Sequence, residues 1–158
     1  MSTEAPAITS KHALDRDDGF LVTRKVQMMV GGLTFQGRLE AQAAPKSVAW
    51  LAQRLPFDGT LLHARWSGEA AWMPLGLELE LAPENAIAYP HPGQLLLYAG
   101  GASEPELLVP YGACAFASRA GTLAGNHVIT LEGDITGLRG LGEALQRHGA
   151  QSLRLTWQ

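Results

Sequence analysis

At roughly 100–200 residues per domain, a chain of 158 residues holds one domain, and 46% hydrophobic against 17% charged residues excludes a disordered chain. Twelve Lys and Arg against fifteen Asp and Glu leave a formal charge of −3, which excludes a basic nucleic-acid-coating protein and names no partner. The single cysteine, Cys114, excludes an intrachain disulfide and a multi-cysteine metal knot, and no stretch approaches the roughly 18 apolar residues of a membrane helix.

The opening MSTEAPAITSKH has neither the basic start nor the apolar run of a secretory signal, so a cytoplasmic protein is expected. Residues 1–18 mix small, polar and charged types without a period and close on the turn signal DRDDG, which predicts a flexible tail before a domain over 19–158. From Phe20 the pattern is β: runs over 20–30 and 33–40 flank Gly31-Gly32, a two-residue hairpin signal. In APKSVAWLAQRLP the period changes, with Val48, Leu51, Ala52 and Leu55 forming one helical stripe, Pro45 in the first turn and Pro56 as the stop. Residues 60–66 and 69–74 predict a second hairpin turning at Ser67-Gly68, and the strict alternation from Gly76 to Leu81 predicts a half-buried strand.

After the Pro-rich stretch from Pro83 to Gly93, Gln94–Tyr98, Glu106–Tyr111, Cys114–Ser118 and His127–Glu132 are short strand candidates. A second helix is expected over Thr136–His148, with Thr136 as its cap, Leu138, Leu141 and Leu145 as its apolar stripe, a Glu143–Arg147 pair, and Gly149 closing it. Ser152–Trp157 is the last strand. Strands at hairpin distances cannot form parallel crossover units, so the fold class is mainly β: a closed antiparallel barrel with two helices over its ends.

Several motifs in order carry a resemblance over about residues 25–158: LPFDGTLLHARWSGEAAW, then PENAIAYPHPGQLLLYAGG, then YGACAFASRAGTLAGNH and a terminal helix and strand. The chain resembles a bacterial domain-of-unknown-function family with a cyclophilin-like β-barrel, and the placement of PKSVAWLAQRLP also resembles cyclophilins. In true prolyl isomerases the catalytic arginine directly follows a histidine and precedes a glutamine and phenylalanine cluster. Here Ala64 separates His63 from Arg65 and no such cluster follows, so that likeness is architectural.

A Ser67-Gly68 turn would set Trp66 opposite Glu69, Arg65 opposite Ala70 and His63 opposite Trp72, so that His63, Arg65 and Trp72 share one face and Trp66, Glu69 and Met73 the other. Arg65 offers a fork for an acid or carbonyl oxygen, and His63 can move a proton near neutral pH. Glu69 beside Trp66 is a candidate acid or base. Asn126 and His127 open a strand where groups gather at a barrel mouth, Tyr89 sits on a loop able to close over a ligand, and Tyr111 ends a strand. The alternatives are structural: a solvated face, a hydrogen-bonded core histidine, a stiffened loop, a ring that seals the barrel, and solvated edge carboxylates at Glu104 and Glu106. No HxH, HxxxH or HExxH spacing exists, Cys114 lies in an apolar strand, and no phosphate-cradling loop is present; no metal and no cofactor are expected.

The expected groove therefore comprises His63, Arg65, Glu69 and His127 as catalytic candidates with Trp66, Trp72, Tyr89, Tyr111 and Asn126 as binding residues. It would bind or act on a small organic acid, amide or cyclic compound, without nucleic acid or membrane. A non-catalytic, homo-oligomeric interaction module and a peptidyl-prolyl isomerase are the competing readings.

Overall fold

The computed structural model describes residues 21–158, so the tail expected over 1–18 lies outside the described residues. After a helical turn at 21–23, the elements run β1 (Lys25–Val30), β2 (Leu33–Leu39), α1 (Pro45–Ala52), β3 (Phe57–His63), β4 (Gly68–Pro74), β5 (Ala86–Ile87), β6 (Gln94–Tyr98), β7 (Glu106–Cys114), β8 (Ala117–Ser118), β9 (Gly121–Thr122), β10 (Gly125–Glu132), α2 (Gly137–His148) and β11 (Gln151–Trp157). Eight of these strands pair antiparallel in the order β2-β1-β11-β3-β4-β7-β6-β10, and β10 returns to β2 from Ile129↔Leu39 to Glu132↔Gln36. The ring is a closed barrel, as the spacing of strands and turns predicts. Closure satisfies the ladder groups that an open sheet would leave at its edges.

Side chains alternate between the two faces of each strand, and here both faces find cover along one wall. Val26, Met28, Phe35, Leu39, Leu61, Ala71, Leu95, Leu97, Leu107, Val109, Ile129 and Leu155 fill the interior. Outside the wall, Ala70, Leu96, Tyr98 and Leu108 pack with Phe116 and Leu123 from the segment that forms the small β8–β9 hairpin. Tyr98 and Phe116 meet edge to face at 5.5 Å. This second layer is why QLLLY and ELLVPY are continuous apolar runs: β6 and β7 are buried on both sides.

α1 buries Val48 and Leu51 behind Pro45, and α2 buries Leu138, Leu141 and Leu145 against the end of the barrel at β3, β4 and β7. Gly149 closes α2 at φ +83°, its N–H donating to Leu145 O. No described helix is long and apolar enough to cross a membrane.

Several expectations need correction. The first strand begins at Lys25, because residues 21–23 are helical and Leu21 turns into the core. Gly76–Leu81 is not a strand: a strand would set Leu77, Leu79 and Leu81 on one face, yet Leu77 is exposed, Leu79 buried and Leu81 half-buried, and after Leu75 N–H donates to Pro105 O the segment has no ladder to join. Thr136 is not a side-chain cap; it stands in helical geometry, and the Asp134 carboxylate instead accepts from its N–H and hydroxyl. Glu143–Arg147 is not among the ion pairs of the described residues.

The β3–β4 hairpin is corrected in register. Leu62 faces Trp72 and His63 faces Ala71, with Ala64 N–H donating to Ala70 O. The loop is pulled sideways, because Ser67 Oγ donates to Ala117 O and accepts from Ala117 N–H while Gly68 pairs with Cys114 across a bulge. A one-residue slip exchanges faces. His63 therefore lies on the interior side with Ala71 and Val109, and Trp72 on the outer side with Leu108.

Candidate functional site

A cleft of about 530 Å³ opens on the outer face of β3 and β4, where the barrel wall, the hairpin loop, residues 103–106 and the β8 segment converge. Trp66, 57% exposed, and the half-buried Trp72 supply indole walls, Arg65 reaches the same cleft from the loop, and His63 borders it beside the C-terminal end of α2. The structure thus brings together four of the nine residues singled out from the sequence.

Tyr111 stands behind this group as a support. His63 Nδ1 lies 2.8 Å from Ala64 O, a carbonyl that can only accept, so Nδ1 carries the proton. Nε2 is then the acceptor for the Tyr111 hydroxyl at 2.7 Å, and Gln146 Nε2–H donates to the same hydroxyl oxygen at 3.2 Å. Burial, and after it the Glu69 carboxylate, push the Tyr111 hydroxyl above its ordinary range, which keeps it a protonated donor. The ring is pinned from the other side by α2, where a Cβ on Gly142 would lie 2.2 Å from it.

The other candidates sit elsewhere. Glu69 accepts from Ala113 N–H at 3.0 Å and clamps the β4–β7 bulge. Asn126 is buried with its carboxamide fully engaged: Nδ2–H donates to Ser47 Oγ at 2.8 Å and Ala82 O at 3.0 Å, and Oδ1 accepts from Glu84 N–H at 3.1 Å. It ties α1 and the 82–88 loop to β10. His127 Nε2–H donates to Thr130 Oγ1 at 2.9 Å, and Thr130 donates in turn to Glu40 Oε1 at 2.5 Å. Burial lowers the His127 pKa, with the nearby Glu40 charge opposing. Tyr89 is 70% exposed on its loop and does not line the cleft.

Glu106 is the residue that sequence reasoning misses. Expected as a solvated edge group, it is 7% exposed and lines the cleft from the first position of β7, on the outer face with Leu108. Its carboxyl has no hydrogen-bond or ion-pair partner among the described residues, and burial first, then the Glu104 charge, raise its pKa to about 7. The available signal was its phase: in ELLVPY, Glu106 alternates with Leu108 and Pro110, so any cover over Leu108 extends toward it. Cys114 is pushed up to about 11 by burial and stays a thiol. Among the described residues no three His, Cys, Asp or Glu side chains gather as a metal site.

A model of a family described as protein of unknown function, DUF3830, matches residues 26–157. No curated protein sequence matches the chain. Among solved structures, McbB in complex with tryptophan superposes with a TM-score of 0.65 at 19% identity over 83% of this chain and 44% of McbB, so the chain spans less than half of that protein. The solution structure of the hypothetical protein AF2241 from Archaeoglobus fulgidus gives a TM-score of 0.60 at 18% identity over 85% of this chain and 95% of the other. At these identities the likeness is one of fold.

Proposed function

The chain belongs to DUF3830, a family of unknown function, and from that premise we propose that the outer cleft of its barrel is a small-molecule site that binds or acts on a compact organic acid, amide or cyclic compound. One observation carries the reading: Glu106 is a buried residue lining the cleft whose carboxyl has no partner among the described residues. A side chain this far buried, its carboxyl opening only to the cleft and its proton affinity raised by that burial, is placed to meet a ligand there.

The rest of the cleft fits that use. Trp66 and Trp72 give flat apolar walls for a ring, and Arg65 gives a bidentate fork for an acid or carbonyl oxygen. With a pKa of about 7, Glu106 holds or releases a proton near neutral pH and is the acid–base group of the site. His63 has both ring nitrogens engaged and exchanges a proton only through the Tyr111 hydroxyl or by giving up that bond. It acts as a positioned wall. Helix α1 between β2 and β3 supports a cyclophilin-like description of the barrel as part of this reading.

A thermal-shift series against carboxylates, amides, cyclic ureas and tryptophan, the molecule held by McbB, tests the reading. A ligand at 100 times its Kd adds about 2.7 kcal/mol, which for a domain of this size raises Tm by roughly 5–10 °C. The rise is expected with at least one class and is lost in Arg65→Ala or Glu106→Gln. A panel without any shift, or shifts equal in the wild type and both variants, refutes it.

A further inference from the structure

The charge lining the cleft is lopsided. Glu106 lies at the floor and Glu104, two residues earlier, is exposed at the lip; neither takes part in an ion pair among the described residues. The indoles beside them are also unused. Elsewhere the protein stacks its own cations on tryptophan, with the Arg54 guanidinium 3.8 Å from the Trp50 ring centroid and that of Arg24 4.4 Å from Trp157. Trp66 and Trp72 carry no such internal cation among the described residues, and both face the cleft that holds the two carboxylates. Arg65 lines the same cleft without contacting either acid within ion-pair distance.

We propose that the ligand is a small zwitterion of amino-acid type, its protonated amine seated on Glu106 between the two indoles and its acid group held by Arg65. This rests on the reading of the cleft as a ligand site and narrows it to a chemical class. An ammonium group completes the missing partner of Glu106, gains from the negative indole faces, and draws on the exposed Glu104 charge at the lip. A neutral amide would instead need Glu106 as the protonated acid, donating to a carbonyl. The two cases differ in the sign of their pH dependence. The titratable groups about Glu106 are Glu104 on its own segment, Tyr98 opposite it on β6, and His63 and Arg65, which line the same cleft from β3 and its loop. Tyr98 has its hydroxyl occupied by Ala102 N–H.

Isothermal titration calorimetry with four matched probes decides the matter: phenylalanine, 2-phenylethylamine, 3-phenylpropanoate and 3-phenylpropanamide. Phenylalanine is expected to bind tightest. Its affinity and that of the amine should fall at least tenfold in Glu106→Gln and severalfold in the surface variant Glu104→Gln, while Arg65→Ala weakens phenylalanine and leaves the amine unchanged. Between pH 5.5 and 7.5 phenylalanine should bind more tightly as pH rises, because the amine needs the carboxylate form. Tighter binding of 3-phenylpropanoate or the amide, undiminished in Glu106→Gln, overturns the zwitterion and leaves the small-molecule cleft standing. Absence of binding by all four probes to folded protein, together with a silent thermal-shift panel, overturns both.

Discussion

Two glycines on one helix face opposite fates on substitution by alanine. Gly140 and Gly142 both lie inside α2, where replacing glycine by alanine stabilises a helix by about 1 kcal/mol through backbone entropy alone. At Gly140 a Cβ meets nothing within 4 Å, so Gly140→Ala collects that gain. At Gly142 the same atom would lie 2.2, 2.4 and 2.5 Å from three carbons of the Tyr111 ring, far inside any carbon–carbon contact. The ring cannot swing away cheaply: its hydroxyl holds His63 Nε2 at 2.7 Å and accepts from Gln146 at 3.2 Å, and its edge packs against the imidazole at 5.8 Å. Overpacking a site of this kind costs about 1–3 kcal/mol, with values at or above the upper end expected where the neighbour is fixed. Gly142→Ala is therefore net destabilising by roughly 1–2 kcal/mol, and the two variants differ by about 2–3 kcal/mol. Urea unfolding followed by far-ultraviolet circular dichroism measures both from their midpoints, given an unchanged slope. Equal stabilisation by the two alanines would refute the close seating of α2 on Tyr111, and with it the account of how His63 is held.

Glu106 makes stability depend on pH in a stated direction. Its folded pKa of about 7 exceeds the ordinary 4.5, so its favourable contribution is complete below about pH 4.5 and is lost as pH rises through 7. At about 1.4 kcal/mol per pKa unit, Glu106→Gln should be the more stable protein at pH 8 by up to roughly 3 kcal/mol, the gap closing near pH 4; a gap independent of pH in chemical unfolding would contradict the burial described. Asn126→Ala strands Glu84 N–H, Ser47 Oγ and Ala82 O, and should lower stability by roughly 2–4 kcal/mol without altering binding in the cleft. A loss under about 0.5 kcal/mol in urea would show those groups to be solvated. Tyr111→Phe removes the donor to His63 Nε2 and should cost about 1–2 kcal/mol, with the His63 ring-nitrogen NMR resonances moving away from their hydrogen-bonded position. Unmoved resonances would place the ring under some other restraint.

Much of the barrel was legible because its signals are local. Gly31-Gly32 at φ +54° and +80°, the Val48–Leu51 stripe behind Pro45, and the Leu138–Leu141–Leu145 repeat ahead of Gly149 each act within one element. Legibility failed where a distant segment decided the outcome. The alternation of Gly76–Leu81 sets its leucines on one face only if a neighbouring strand makes a ladder; none is paired there, and Leu77 is exposed while Leu79 is buried. The hairpin register turned on Ser67 being held by Ala117, fifty residues away, which moved His63 and Trp72 onto opposite faces. Within the site, Arg65, Trp66 and Trp72 were readable as candidates from one hairpin, but the expected register set Trp66 on the face opposite the other two, whereas all three line the one cleft. Glu106 was not readable: it lines a cleft completed by segments distant in sequence, among them residues 117–118 of the chain from 115 to 125 that folds back over the outside of the wall.

That fold-back has a consequence for how the cleft behaves as a receptor. β6 and β7 lie beneath a second apolar layer, so water reaches their amides only when the barrel opens as a whole, and they belong to the last region to exchange hydrogen. Glu106 and the strand bearing Trp72 are mounted on this stiff wall, whereas Arg65 and Trp66 ride on the exposed hairpin loop. A ligand meets one preorganised jaw and one adaptable one: the buried acid is set in place before binding, and the ordering entropy of association falls on Arg65 and Trp66.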